Sequence, residues 1–548
     1  MRSLLLLVSI ENGDFLGGGG GGGGSSNLTP GKRTGRAASR APPPPPPPPP
    51  PHAEARTQRN SRLPHRAAPA PGDPRDHERP AAAPRPAGPR PLPVLGSLHL
   101  LGQHATPFEA FTALARQYGD IYQLTLGATP CVVVNSYPLI KEVLITKGAH
   151  FGGRPDFIRF HKLFGGDRNN SLALCDWSEL QKTRRSIARI YCSPRAASAH
   201  YDRLEQACAR EAAALLGRLG AALRPQPVHV KPLLQAACAN IFTSYMCSAS
   251  FDYDDPGFKK MVRTFDEIFW EINQGYAVDF MPWLEPVYRG HMRRISDWAA
   301  EIRQFILSRI IESHRRSLDR AQGPRDFTDA LLLYLEEDPL LNWEHIIFEL
   351  EDFLGGHSAI GNLLMLALRA IALHPEVGER IRREADATTG GSRLVSLFDK
   401  PAMPFTEATI LETLRTASSP IVPHVATQDT SVAGYAVDKG TVVFLNNYEL
   451  NSGETYWSQP AAFRPERFLS ADGGAVVKPE HFIPFSTGKR TCIGQRLVQG
   501  CAFVLLAALV QTHDVAAPPS GEMQTFPACV AVPPDTFPLV FTPRQPAD

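Results

Sequence analysis

The chain has 548 residues, of which 43% are hydrophobic and 20% are charged, and its formal net charge is +2. This composition is typical of a globular protein, and a charge so close to zero argues against nucleic acid as a partner. The nine cysteines are odd in number and form no CxxC or CxxCH pattern. We therefore predict neither a disulfide framework nor a cysteine-rich zinc site, and we favour a reducing, cytosol-facing environment.

The first 88 residues differ in composition from the rest of the chain. The apolar run at residues 4–10 is much shorter than the about 20 residues that a membrane-spanning helix requires. A glycine tract at 17–24 and a proline tract at 42–51 cannot form a core. Between residues 32 and 90, twelve Lys and Arg outnumber four Asp and Glu. We predict a disordered low-complexity segment over residues 1–88; the alternative is an Arg-rich transit sequence, which leaves a mitochondrial address open.

Residues 89–548 read as one large domain that is mainly α with a minor β component. Alternating residues around Gly-centred turns predict β-hairpins at 120–136 and at 434–447, the second turning at 438–440. Apolar periodicity predicts helices over 205–219 and 343–373. A further long apolar helix is predicted over 494–511.

The predicted helix at 343–373 would be roughly 45–50 Å long at 1.5 Å per residue, enough to cross a domain. It ends at His374, because the following proline disfavours helix at the residue before it. Its middle holds three glycines, at 355, 356 and 361. Glycine costs up to about 1 kcal/mol in a helix interior. Two explanations are open: a tight helix–helix contact, or a flat ligand that lies against the helix.

The stretch FSTGKRTCIG, residues 485–494, surrounds Cys492 with cations and glycines. Lys489 and Arg490 favour the thiolate, as does the N-terminus of the helix that follows. Gly488 and Gly494 would allow positive φ and a close backbone approach. On these grounds Cys492 is either a ligand or nucleophile, or a buried structural cysteine.

Three motifs together point to a known family. Residues 485–494 match FxxGxRxCxG, ETLR at 412–415 matches ExxR, and FRPERF at 463–468 matches a Pro-Glu-Arg-Phe segment. These motifs, in this order, resemble those of the cytochrome P-450 superfamily, and the resemblance extends over residues 89–545. It implies a mainly α fold with haem b held between a long central helix and the cysteine loop.

The resemblance also implies roles for individual residues. Cys492 would be the thiolate ligand that donates electron density to the iron. Phe485 would pack over the haem, and Arg490 would pair with a propionate. The other implied roles are a structural network of Glu412, Arg415 and Arg467, and a propionate contact from His424, for which a satisfied loop histidine is the alternative.

The resemblance is imperfect in two places. The family usually has Trp-x-x-x-Arg near its third long helix, but Gln181 follows Trp177 at that spacing. Arg184, seven residues after Trp177, shares its helix face and is our candidate for a propionate contact.

The second departure lies in the central helix. The family's oxygen-activating motif reads Ala/Gly-Gly-x-Asp/Glu-Thr, whereas residues 355–359 here are GGHSA. The alcohol position is therefore alanine and the acid position is serine. Gly356, His357 and Ser358 are the catalytic candidates, with His357 or Ser358 as a proton shuttle. Otherwise water or the substrate's own hydroxyl must deliver protons, and a haem-catalysed rearrangement is an alternative to hydroxylation.

Within the family, residues 172–194, 355–362 and 423–451 most resemble the microsomal steroid-hydroxylase-like clan and, in it, the insect Spook/Spookier enzymes of ecdysteroid biosynthesis. The resemblance implies a monooxygenase that acts on a sterol, with O2 and NADPH–cytochrome P-450 reductase as partners. It also implies a position on the cytosolic face of the endoplasmic reticulum membrane, where the apolar segment at 92–102 could contact the lipid surface. A haem-thiolate isomerase or dehydratase, or a non-enzymatic haem or sterol binder, are the rival functions.

Overall fold

The structure is a computed structural model that describes residues 83–222 and 227–544. The predictions for residues 1–82 lie outside this part of the chain. The helices are α1 (Leu98–Leu101), α2 (Pro107–Tyr118), α3 (Tyr137–Lys141), α4 (Ile158–Leu163), α5 (Glu179–Cys192), α6 (Ala199–Ala222), α7 (Lys231–Cys247), α8 (Pro256–Ile272), α9 (Ala277–Phe280), α10 (Arg289–Ile306), α11 (Glu312–Ser317), α12 (Phe327–Glu337), α13 (Trp343–Leu373), α14 (Pro375–Thr389), α15 (Pro404–Ala417), α16 (Asn447–Ser452) and α17 (Gln495–Thr512). The strands are β1 (Ile121–Leu126), β2 (Thr129–Val134), β3 (His424–Val425), β4 (Thr430–Val432), β5 (Tyr435–Val437), β6 (Val442–Leu445), β7 (His513–Ala516) and β8 (Val540–Pro543). The predicted fold class, mainly α with a minor β component, is confirmed.

The central helix α13 spans 31 residues, with the bounds that the sequence predicted. Asn342 caps its start, since the Asn342 side chain accepts from the His345 N–H at 2.9 Å and the His345 ring accepts in return from the Asn342 N–H. The helix stops at His374, and Pro375 begins α14. Most of α13 is buried among α7, α8, α15 and α17. It therefore forms the axis of the main hydrophobic core.

One predicted hairpin is confirmed and the other is wrong. β1 and β2 pair antiparallel around Gly127, whose φ is 56°. In the second case, β5 pairs with the preceding β4 through Ala433 and Gly434, which both have positive φ. That pair of angles is typical of a tight two-residue hairpin turn, which alanine rarely supplies. β6 instead joins the first sheet, parallel to β2 and antiparallel to β3.

Residues before 89 already form hydrogen bonds with β1 and β5. The Pro84 carbonyl accepts from the Ala436 N–H at 2.9 Å, and the Ala87 carbonyl accepts from the Gln123 N–H at 2.9 Å. The start of the described chain is thus fixed to β1 and β5.

Among the described residues, two helices are long and apolar enough to cross a membrane, α13 and α17. Both are mostly buried inside the fold and pack against each other. Their composition is therefore explained by the core. All nine cysteine thiols are free.

Candidate active site

The segment at residues 485–494, called the Cys loop below, is a tight turn. Gly488 has a φ of 71°, and a Cβ on it would lie 2.2 Å from the Leu144 carbonyl oxygen, so that only glycine fits there. The Cys492 N–H closes the turn by donating to the Phe485 carbonyl at 2.9 Å. The backbone thus fixes the direction of the cysteine side chain.

Gly494 differs from the prediction. Its φ is −81°, so no left-handed conformation requires glycine at this position. It is the N-cap of α17, and a Cβ on it would lie 4.0 Å from the Cys492 sulfur. Glycine here keeps the surroundings of the sulfur open rather than forming the turn.

Cys492 is the only exposed cysteine of the nine. Desolvation by the surrounding protein atoms nevertheless raises the pKa of the thiol. The N–H groups of Gly494 and Gln495 and the charge of Arg185 act in the opposite direction and lower it. Arg185 is fixed beside the loop, where it donates to the Thr491 carbonyl at 2.8 Å. The predicted helix start is therefore present, whereas the cation that acts on the thiol is Arg185 and not the predicted Lys489 or Arg490.

Three buried basic side chains cluster near the loop: Arg154, His424 and Arg490. Arg490 donates through Nη2 to the Ala173 carbonyl at 2.8 Å, and Arg154 donates to the same oxygen through Nε at 3.2 Å. Burial lowers the pKa of all three groups, that of Arg490 to about 10. Charge repulsion lowers it further, since Arg490 acts on Arg154 and both arginines act on His424. Arg185 acts in the same way on Arg490. None of the three has a carboxylate within 4 Å among the described residues.

The cluster also contains polar atoms that lack a partner within the described chain. Arg490 Nη1 and His424 Nε2 are both buried without a hydrogen bond. His424 donates from Nδ1 to the Phe151 carbonyl at 2.7 Å, which leaves Nε2 as the free position on its ring. Buried groups of this kind are costly unless a partner is bound. The arrangement fits an anionic ligand.

Arg184 does not belong to this cluster. It is fully buried and its Nε donates to the Glu349 carboxylate at 2.8 Å. Its Nη groups donate to the carbonyls of Asn169 and Asn170. These contacts use the guanidinium to join α5 to α13 and argue against the predicted propionate contact. Helical spacing placed Arg184 on the face of Trp177, but Glu349 pairs with it from the neighbouring helix.

The predicted network of Glu412, Arg415 and Arg467 is assembled. Arg415 binds the Glu412 carboxylate through two N–H groups at 2.7 Å each, and Arg467 Nε donates to it at 3.2 Å. Arg415 also donates to the carbonyls of Asn451 and Ala462. All three side chains are buried, so the network ties α15 to the segment around residue 462.

One face of α13 borders open space in its middle. Gly355, Gly356 and Ala359 are partly exposed, whereas Phe353, Leu354 and Ile360 around them are buried. A Cβ on Gly355 would lie 3.0 Å from the Phe265 ring, and one on Gly356 would lie 3.4 Å from the Phe242 ring. The glycines therefore allow close packing of α7 and α8, the first of the two explanations. Because these glycines also flank the open face, they are compatible with the second explanation, in which a flat ligand lies against the helix.

His357 and Ser358 point away from that face. His357 donates from Nδ1 to the Leu354 carbonyl at 2.5 Å, and its ring meets Phe265 edge-on. Burial lowers the pKa of His357 to about 4, so the ring is neutral near pH 7. Ser358 is fully buried, with its hydroxyl 3.5 Å from His357 Nε2. The proton-shuttle role of either residue stays a prediction, and this geometry speaks against a direct one.

The sequence matches the cytochrome P450 family over residues 86–541. The chain belongs to this family. It is 50% identical over 482 residues to cytochrome P450 307a1 of Drosophila melanogaster, which covers 84% of this chain and 89% of the relative. It is also 33% identical over 452 residues to cytochrome P450 1B1 of Mus musculus (77% of this chain, 80% of the relative) and 30% identical over 444 residues to cytochrome P450 1A1 of Limanda limanda (77% and 84%). The predicted resemblance to the insect Spook enzymes is confirmed.

As a cytochrome P450, the protein is a haem-thiolate monooxygenase that uses haem b, O2 and an electron donor. The residues present fit the haem. Cys492 offers an accessible sulfur, and the unpartnered Arg490 Nη1 and His424 Nε2 suit the negative charge of haem propionates. Phe485 is partly buried against the main core beside the Cys loop.

Arg154 is the residue of this cytochrome P450 that the sequence predictions missed. It follows Gly152 and Gly153 and precedes Pro155, between two buried phenylalanines. An arginine among glycine, proline and phenylalanine residues could have indicated a buried functional charge. Its partners, the carbonyls of Val422 and Pro423, are far away in sequence, so the spacing alone could not identify it.

Arg154→Met is expected to speed haem loss from the holoenzyme by about tenfold, because the charge-assisted contact that Arg154 would make with a haem propionate is removed. The measurement is haem transfer to excess apomyoglobin. Arg263→Met, at an exposed arginine of α8, is the matched control. An unchanged transfer rate in Arg154→Met would remove this residue from the haem site.

Proposed function

We propose that this cytochrome P450 oxidises a sterol in an early step of ecdysteroid biosynthesis. The observation that carries the proposal is the 50% identity to cytochrome P450 307a1 of Drosophila melanogaster over 84% of the chain. The similarity of residues 172–194, 355–362 and 423–451 to the insect enzymes supports it. The apolar Gly355–Ala359 face of α13 also suits a bulky apolar substrate.

In this proposal the Cys loop and the basic cluster bind different parts of the haem. Cys492 would hold the haem iron, while Arg490, Arg154 and His424 would hold the propionates. The bound haem supplies the oxidising chemistry, inserting one oxygen atom of O2 into the substrate with electrons from a reductase. The chain itself holds the sulfur in one direction through the Phe485–Cys492 turn.

Proton delivery in this enzyme would depend on water or on the substrate's own hydroxyl. Ala359 stands at the alcohol position of the family and offers no hydroxyl. His357 donates to the Leu354 carbonyl of α13, and the Ser358 hydroxyl lies 3.5 Å from His357 Nε2. This departure also favours a second candidate, a haem-thiolate isomerase or dehydratase, which needs no delivery of protons to O2.

The electron donor we propose is NADPH–cytochrome P-450 reductase. A basic surface surrounds the Cys loop, with a groove lined by Trp177, Lys182, Arg185, Arg189 and Lys489 among others. The Lys489 ammonium lies over the Trp177 ring, 5.6 Å from its centre. Such a positive surface suits the acidic face of a flavoprotein and would steer its approach.

We also propose that the protein binds the cytosolic face of the endoplasmic reticulum membrane. Val94 and Trp283 are 67% and 63% exposed, large values for such apolar side chains. Their segments meet at Gly127, whose N–H donates to the Leu95 carbonyl and whose Cβ position lies 2.4 Å from the Phe280 carbonyl oxygen. Tryptophan favours the membrane interface. Co-sedimentation of the full chain with neutral lipid vesicles tests this; a protein that stays in the supernatant contradicts it.

Product analysis tests the function. The holoenzyme is incubated with reductase, NADPH, O2 and 7-dehydrocholesterol, and products are separated by mass. A product that gains one oxygen or loses two hydrogens, and that requires both NADPH and O2, supports sterol oxidation. Conversion without NADPH would favour the isomerase or dehydratase. Absence of any product with a range of sterols would favour a non-enzymatic binder.

A further inference from the structure

Asp352 is a carboxylate on the open face of α13. It lies three and four residues before Gly355 and Gly356, and seven residues before Ala359. At 3.6 residues per turn, positions seven apart differ by only about 20° around the helix. Like those three residues, Asp352 is partly exposed, whereas Glu351 is 5% exposed and Phe353 is 7% exposed. It therefore borders the same space as the Gly355–Ala359 stretch.

A second set of contacts connects Asp352 to the basic cluster of Arg154, His424 and Arg490. Its carboxylate accepts from the Leu172 N–H at 2.6 Å and from the Ser171 hydroxyl at 3.0 Å. The next residue, Ala173, is exposed, and its carbonyl accepts from Arg490 and Arg154. One short segment thus connects the carboxylate to the residues that fit the haem propionates.

The Asp352 carboxylate forms no ion pair among the described residues, although the charge of Arg184 acts on it from a greater distance and lowers its pKa. No Arg, Lys or His nitrogen lies within 4 Å of its carboxylate among the described residues, although Glu349 one turn earlier is paired with Arg184. Burial raises the pKa of Asp352 to about 6. A carboxylate offers about four acceptor positions. The N–H groups of Leu172 and Ala173 and the Ser171 hydroxyl occupy three of them, which leaves about one position for a further donor.

We propose that Asp352, held in place by Ser171 and Leu172, accepts a hydrogen bond from a hydroxyl group of the substrate and so orients an apolar polycyclic alcohol over the haem. The proposal rests on the proposed function in its sterol form, and it deepens that function by naming the polar anchor. The rest of the open face, Gly355, Gly356 and Ala359, offers only apolar contact. The anchor then fixes which end of the substrate faces the iron.

The test compares ligands with and without the O–H donor. Dissociation constants are measured from the haem spectral shift of the holoenzyme for 7-dehydrocholesterol and its methyl ether, and for 1-pyrenemethanol and 1-methylpyrene. The unaltered protein is expected to bind each alcohol about tenfold more tightly than its partner, as for a hydrogen bond to a charged acceptor. Asp352→Leu should reduce this ratio to about one, with unchanged haem content.

Asp352→Asn is the second variant, because an amide oxygen still accepts from the Leu172 N–H and keeps the turn in place. Its alcohol preference should fall to about threefold or less, as for a neutral hydrogen bond. Glu344→Gln, at an exposed acid of the same helix, is the control and should keep the full ratio. A tenfold ratio that survives in Asp352→Asn overturns the anchor.

The two pairs of ligands separate this inference from the proposed function. A preference for pyrenemethanol without any spectral shift from sterols would refute the sterol substrate and support the anchor. Sterol shifts of equal strength for the alcohol and its ether would support the substrate class and overturn the anchor.

Discussion

Cys492→Ala is expected to abolish monooxygenase activity and the absorption band at about 450 nm that the reduced, CO-treated protein shows with a thiolate ligand. The reason is geometric. The Phe485–Cys492 hydrogen bond and the positive φ of Gly488 fix the direction of one accessible sulfur. The other eight cysteines are buried in the core and cannot replace it.

Two controls make this result specific. Cys529→Ala removes a buried cysteine away from the Cys loop and should keep the band and the activity. Circular dichroism should be the same for both variants, which excludes loss of the fold as the cause. A Cys492→Ala protein that retains haem and the band at about 450 nm would refute the assignment of Cys492 as the ligand.

Features that depend on neighbouring residues were predicted well from the sequence. The bounds of α13 follow from apolar periodicity and from the proline after His374. The Cys loop is a short motif that the Cys492–Phe485 hydrogen bond closes within ten residues. Even here the reasons for two similar residues differ, since Gly488 needs a positive φ and Gly494 does not.

Features that depend on distant partners were predicted poorly. Arg184 has a helix position that suits a ligand contact, yet Glu349 on another helix neutralises it. Arg154 was missed because its role is defined by segments near residues 173 and 422. The orientation of the His357 side chain likewise depends on its contact with Phe265 of α8. The pattern GGHSA alone therefore does not predict this orientation.

The ExxR network lies between these cases. Glu412 and Arg415 are one helical turn apart, so their pairing is local and predictable. Arg467 reaches them only through the fold. The three charges are almost fully removed from water. Glu412 accepts hydrogen bonds from both arginines and from the Arg464 N–H, and the arginines also donate to backbone carbonyls. Such a network stabilises the fold only while it is complete.

Glu412→Ala is therefore expected to lower the free energy of unfolding by about 3–5 kcal/mol, the cost of leaving buried charges without their partner. Arg415 would keep only carbonyl acceptors, and Arg467 would lose its carboxylate. The measurement is urea denaturation of the holoenzyme, followed by circular dichroism.

The matched control for Glu412→Ala is Glu466→Ala. Glu466 pairs with Arg380 at 2.7 Å, but the two side chains are 50% and 43% exposed to solvent. An exposed pair contributes less than about 1 kcal/mol. If the two variants lost the same small amount, the network would be a surface feature and not the support of α15. A large loss confined to Glu412→Ala would instead show that the buried network of Glu412, Arg415 and Arg467 stabilises the fold. In the sequence, only the ExxR spacing of the first two residues indicates this network.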